Sequence, residues 1–210
     1  MTENTATRTG SRFHDLHPAF PNLKQMILPI VQYGHPALRM KCKPVARVDD
    51  AIRQLATDML ETMVEANGVG LAAPQVGRDI QLAVIDVSHD PESVSFLKVN
   101  GSDAALESIM PLIFINPEIQ YGTDKNASLE GCLSIQNIRA EVRRPEAVAV
   151  KLTLLDGTTL ELETDGLLAR ALQHEIDHLN GVLFTDRLTA VQKVSMKNRL
   201  KKLLVENGYA

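Results

Sequence analysis

Tryptophan is absent from the 210-residue chain, and aromatic residues make up only 4% of it. The core must therefore be built mainly from aliphatic side chains. Cysteine is scarce as well: only Cys42 and Cys132 occur, which argues against a disulfide-stapled secreted scaffold. No apolar run approaches the ~20 residues of a membrane-spanning helix, so no membrane partner is expected. The first 25 residues lack the apolar stretch of a signal peptide, and a reducing cytoplasm is the expected compartment. Twelve glycines follow no three-residue period, which excludes collagen. The formal net charge of −4 argues against a general nucleic-acid binder, and no specific DNA contact is expected. What remains is globular composition, 44% hydrophobic and 23% charged, with enough chain to bury a core.

Residues 1–25 are polar and aperiodic and read as a flexible extension. They hold few acids, so a transit peptide is a weaker reading. Met26 opens an apolar, strand-like stretch. Ile52, Leu55, Met59 and Met63 recur at helical spacing over residues 50–66, with Asp49 or Asp50 as cap and Asn67-Gly68 as stop. The following segment, 68–77, is too glycine-rich to predict regular structure. Residues 80–87 and 111–116 read as buried strands, joined by a long polar connection with a turn signal at Asn100-Gly101. Residues 147–155 and 158–163 alternate around Asp156-Gly157, a hairpin signature. A helix is expected from an Asp165 cap to Asn180-Gly181, and a last helix from Thr189, where Gln192 completes a capping box. The expected fold is one α+β domain over residues 26–210. Antiparallel strands pack around a central helix carrying the HExxH segment, with a further C-terminal helix.

That central helix carries His174-Glu175-Ile176-Asp177-His178. Residues four apart share one helix face, so both imidazoles can reach one metal ion, and Glu175 lies beside its open position. In a chain of this composition the pattern arises by chance about 0.01 times. Leu167, Ala171, His174 and His178 fall on one stripe whose apolar members make it inward-facing. Two histidines buried together are either core residues satisfied by partners or ligands of one ion. A tetrahedral site needs a third protein ligand. The position six residues beyond His178 is Phe184, not histidine, and the only glutamate beyond Glu175 is Glu206, 28 positions past His178. The third ligand must come from upstream. Cys132, in Glu130-Gly131-Cys132-Leu133-Ser134, is the best candidate: a cysteine alone is more often a small buried hydrophobe, but joined to HExxH it becomes the favoured ligand. Cys42, between Lys41 and Lys43, reads as incidental. In Gly68-Val69-Gly70-Leu71-Ala72-Ala73-Pro74-Gln75, the small residues allow close backbone approach. Gln75 can supply an N–H to an oxyanion there, and the segment reads equally as a buried turn.

GVGLAAPQ (68–75), EGCLS (130–134) and QHEIDH (173–178), in that order, resemble the three signature motifs of the peptide deformylases. The resemblance extends over residues 27–188. It includes Tyr33 to Arg39, Asp165 to Arg170, Leu179 to Phe184, and Arg139, Val142 and Arg144. The C-terminal helix resembles the bacterial type I group. The resemblance implies that Cys132, His174 and His178 hold a divalent metal, Fe(II) by preference, with zinc or nickel able to occupy the site. It implies that Glu175 is the general acid/base and that the Gln75 side chain and Leu133 N–H stabilise the oxyanion. Gly70 and Glu130 would pair with the peptide substrate, and Val69, Leu133, Leu167 and Ala171 would line the methionine pocket. The implied reaction is removal of the formyl group from formyl-methionyl nascent peptides by metal-activated water, with release of formate. Gln136 and Asn137 depart from the family's usual proline and glycine, which bears on substrate preference beyond methionine.

Arg187, Lys193, Lys197, Arg199, Lys201 and Lys202 make the last helix basic. Such a helix fits either a solvated face or a surface resting on ribosomal RNA. A metal-stabilised binding protein of the same fold is a rival reading, opposed by the intact Glu175. A peptidase acting on internal amides is another, opposed by the missing downstream ligand.

Overall fold

A computed structural model describes residues 26–209; the expected extension over residues 1–25 lies outside the described residues. The first helix, α1 (Asp50–Glu65), begins where the Asp49 carboxylate accepts the Ile52 N–H at 2.9 Å. It ends at Asn67, whose φ of 54° turns the chain out of the helix. The next segment departs from the sequence expectation. Residues 70–72 form a strand, β1 (Gly70–Ala72), and residues 73–76 a short 3-10 turn. Leu71, Ala72 and Ala73 are fully buried, so tertiary pairing overrides the local glycine content.

β1 pairs antiparallel with β2 (Leu82–Ile85), and β2 with β5 (Leu112–Tyr121). Alternate residues of these strands enter different cores. Leu71, Leu82, Val84, Ile113 and Ile115 pack with Met59 and Met63 of α1. Ala72, Ala83, Ile85, Leu112 and Phe114 pack with Leu168, Leu172, Ile176 and Leu179 of α2 (Gly166–Leu179). Both faces are covered, which is why these strands read as unbroken apolar runs.

The connection between residues 88 and 110 holds a hairpin of β3 (Leu97–Val99) and β4 (Ser102–Asp103). Its turn places Asn100 and Gly101 at φ of 51° and 80°, as the dipeptide predicts. Strands β8 (Val148–Thr153) and β9 (Thr159–Thr164) form the expected hairpin around Asp156-Gly157. The seven-stranded sheet runs β1-β2-β5-β8-β9-β3-β4, which leaves β1 at an edge. A separate ribbon pairs β6 (Lys125–Cys132) with β7 (Ile135–Pro145).

α2 starts after Asp165, which holds the N-cap position without capping by its side chain. The carboxylate instead accepts the Ser95 and Phe96 N–H groups at 2.8 and 3.2 Å and pins the long connection to the helix start. The third helix, α3 (Ala190–Glu206), opens with the Thr189–Gln192 capping box. Met196, Leu200 and Leu203 rest against Leu38, Ile135, Ile138 and Phe184. Gln192 and Arg199 donate to the Glu141 and Asn137 carbonyls of β7 at 2.8 and 2.9 Å. The stretch opening at Met26 pairs with no strand among the described residues. Its amides bind Asp58 and Thr62 of α1, then the Gln75 and Ser134 carbonyls. Among the described residues no helix is long and apolar enough to cross a membrane.

Candidate metal centre

His174 and His178 lie one turn apart on α2, with ring centroids 5.0 Å apart. Cys132 ends β6, where the ribbon reverses through Leu133 and Ser134. The fold brings its Sγ to 3.3 Å from His178 Nε2. The ligand atoms of Cys132, His174 and His178 all lie within 4.8 Å of one another. Ligands around one tetrahedral ion are roughly 3.3–3.8 Å apart for bonds of this type; Cys132 and His178 already have that spacing, and the whole set is close enough to be drawn onto one cation. Leu167, Ala171 and His174 line a cleft of about 950 Å³. The first three residues of the helix stripe seen in the sequence therefore face the cleft, with His178 buried beyond them, while Leu168, Leu172 and Ile176 fill the sheet core.

Glu175 also lines the cleft and is 3% exposed, with Oε2 unpartnered among the described residues. Burial pushes its carboxyl up to about 7; Asp177 and Glu130 act in the same direction, against His174 and Arg144. The side chain packs directly over Gly70. A Cβ at that position would sit 2.3 Å from Glu175 Oε1, so only glycine leaves room for the carboxylate.

Behind the histidines lies a buried ionic network. Glu130 Oε2 meets His174 Nδ1 at 3.2 Å, which turns the other ring nitrogen free for a metal. Arg144, 1% exposed, binds Glu130 through Nε and Nη2 at 2.7 and 3.0 Å and Asp177 through Nη1 at 2.7 Å. Arg170 adds a second cation on Glu130, and Arg187 one on Asp177. Burial alone would raise Glu130, but hydrogen bonds from His174 and Arg144 hold it down at about 2. Burial likewise opposes charge on His174, yet Cys132 and Glu130 hold its pKa up at about 10. The field that favours a proton there equally favours a divalent cation. His178 stays neutral: burial and the charge on His174 push its pKa well below the ordinary range.

Gln75 is 1% exposed. Its Oε1 accepts the Ala72 N–H at 2.8 Å, which fixes the amide orientation. Nε2 then points at Ser134 Oγ, 3.3 Å away, and at Cys132 Sγ, 3.5 Å away. Val69, Gly70, Glu130 and Leu133 line the same cleft. Every candidate site residue is thus gathered around one place. Cys42 is not among them; it lies in the sheet core, where burial raises its thiol to about 11. The structural parts of Arg144, Arg170, Asp177 and Arg187 were not expected from the sequence. Asp177 inside the HExxH segment and Arg170 one turn before His174 were the available signals.

A structural zinc site closes all four positions with protein ligands. Here three donors able to hold an ion converge beside a cleft and a buried carboxylate, the arrangement that a metal-dependent hydrolase requires. Comparison with known proteins narrows the class. Residues 27–194 match the Polypeptide deformylase family. A peptide deformylase from Methylacidiphilum infernorum is 48% identical over 178 residues, 85% of this chain and 93% of the relative. The crystal structure of a peptide deformylase from Synechococcus elongatus in complex with actinonin superposes with a TM-score of 0.68 at 39% identity, covering 89% of this chain and 91% of that one. A Met-Ala-Ser-bound class I type b peptide deformylase from Acinetobacter baumannii gives 0.66 at 32% identity, covering 79% and 100%. The chain belongs to the peptide deformylase family.

Proposed function

We propose that this chain removes the N-formyl group from formyl-methionine at the start of newly made polypeptides and releases formate. The observation that carries the reading is the convergence of Cys132, His174 and His178 beside Glu175 in an open cleft. Fe(II) is the proposed resident ion, with zinc and nickel able to replace it, since one thiolate and two imidazoles suit all three. A divalent ion held there supplies Lewis acidity, which makes water available as a nucleophile near neutral pH.

The chain's own residues do the rest. Among the described residues β1 is an edge strand and β6 pairs only with β7. An extended peptide can therefore lie between two open strand edges, paired with the backbone at Gly70 and Glu130. Val69, Leu133, Leu167 and Ala171 offer an apolar lining for the methionine side chain. The Met-Ala-Ser complex of the Acinetobacter relative supports a methionine-first peptide in this cleft. Gln75 Nε2 and the Leu133 N–H donate to the formyl oxygen as negative charge grows on it. Glu175 takes the proton from water and returns it to the leaving amine; its elevated pKa suits both directions of transfer.

Replacement of Glu175 by glutamine tests the reading. The variant is expected to keep its metal and lose about 10²–10⁴-fold in formate release from formyl-methionyl peptides. Full activity in the metal-loaded variant would overturn the mechanism, and cleavage of unformylated peptides would favour a peptidase instead. Anaerobic purification with metal analysis tests Fe(II), whose expected mark is activity lost in air.

Residues 26–210 are proposed to act as one catalytic domain in the cytoplasm, with ribosome contact through α3. Arg187 lies not on α3 but in the 3-10 turn Phe184–Arg187 before it, where it binds Asp177; on α3, Lys193, Arg199 and Lys202 are engaged within the chain, while Lys197 and Lys201 have no partner among the described residues. Salt-sensitive co-sedimentation with ribosomes is the expected result; its absence ends that idea.

A further inference from the structure

We propose that Ile27 and Leu129 form an apolar clamp at the cleft mouth that takes the side chain of the substrate's second residue, so that aliphatic or aromatic residues are favoured there. The proposal rests on the deformylase reading and names a selectivity of that same site. Both residues line the cleft, yet Leu129 is 62% exposed and Ile27 50% exposed. Each is held outward by the alternation of its backbone. Leu129 precedes Glu130 on β6, and Glu130 points inward to His174 and Arg144, so Leu129 stands on the opposite face. Ile27 sits between two anchored amides, Met26 on Asp58 and Leu28 on Thr62, while Leu28 and Ile30 pack into the α1 core. The ribbon carries one member of the clamp, and the segment tied to α1 carries the other.

Successive side chains of an extended peptide point to opposite sides. With the methionine side chain among Val69, Leu167 and Ala171 on the cleft floor, the second side chain turns toward the mouth, where these two aliphatics stand. Covering them there removes apolar surface from water on both partners.

The test measures formate release from formyl-Met-X-Ser peptides, with X as Leu, Phe, Ser or Lys, by the nickel-loaded full chain. The wild type is expected to favour Leu and Phe over Ser by about tenfold in kcat/KM. Leu129→Ser and Ile27→Ser should each cut that ratio to about threefold or less, with little change in thermal midpoint because both side chains are exposed. Leu129→Glu should move the preference toward Lys. Wild-type selectivity within about twofold, or a ratio unchanged in both serine variants, overturns the clamp alone. Failure of the wild type to release formate from any of the peptides overturns the deformylase reading and the clamp with it.

Discussion

Replacing Gly70 by alanine is expected to disable the chemistry while sparing the metal site. The new Cβ would lie 2.3 Å from Glu175 Oε1, 2.8 Å from Cδ and 3.0 Å from Cγ. Ordinary contact requires a retreat of about 1 Å. β1 cannot supply it, because Gly70 pairs with Ile85 and the next two residues are fully buried. The carboxylate end of Glu175 is the part that yields. A displacement of that size in a reacting group costs about 10²-fold in kcat, or about 2.7 kcal/mol of barrier. Metal content should match the wild type, since Cys132, His174 and His178 are not touched. The assay is formate release at saturating substrate, run beside metal analysis. A double-mutant cycle isolates the route: in a Glu175→Gln background, Gly70→Ala should cost less than about threefold, because glutamine cannot carry the proton transfer proposed for Glu175. Wild-type activity in the single variant would show that the Glu175 carboxylate tolerates the displacement. An undiminished 10²-fold loss in the double variant would mean that Gly70 acts on the substrate directly.

Cys132→Ala should lose its metal on dialysis under conditions where the wild type retains it, with the fold kept by circular dichroism; full retention removes the sulfur from the ligand set. Arg144→Met leaves Glu130 and Asp177 each short of a buried cation and is expected to cost about 3–5 kcal/mol in urea unfolding; a loss under about 1 kcal/mol would show that Arg170 and Arg187 suffice. Glu130 has a folded pKa near 2 against an ordinary 4.5. Its stabilising contribution is therefore complete above pH 4.5 and lost as pH falls toward 2. The urea midpoint of the metal-free protein should drop through that window, and less steeply in Glu130→Gln.

The parts of the molecule legible in the sequence were those with short-range signatures. Asp49 and Thr189 cap as expected, and Asn100-Gly101 and Asp156-Gly157 turn as expected. The buried strands around Val84 and Phe114 showed as apolar runs because both their faces are covered. The HExxH spacing told of one shared helix face, and that face does meet Cys132. The β6–β7 ribbon was not legible. One face is exposed and polar, and the inward face of β7 mixes Ile135, Ile138, Ala140 and Val142 with the buried Arg144. β1 was hidden by its flanking glycines. The ionic network was hidden for a different reason: a buried arginine such as Arg144 looks the same in sequence as a surface one, and only the fold supplies its two carboxylates.

The contacts of α3 along β7 bear on solubility as well as on position. Among the described residues β7 has a strand neighbour on one side only, and an uncovered strand edge is a template for pairing with a second molecule. Gln192 and Arg199 occupy the Glu141 and Asn137 carbonyls that such a molecule would seek. A chain shortened before residue 190 would bare both carbonyls together with Ile135 and Ile138. It should then self-associate in solution, guarded until that cut by a helix that buries almost nothing of its own.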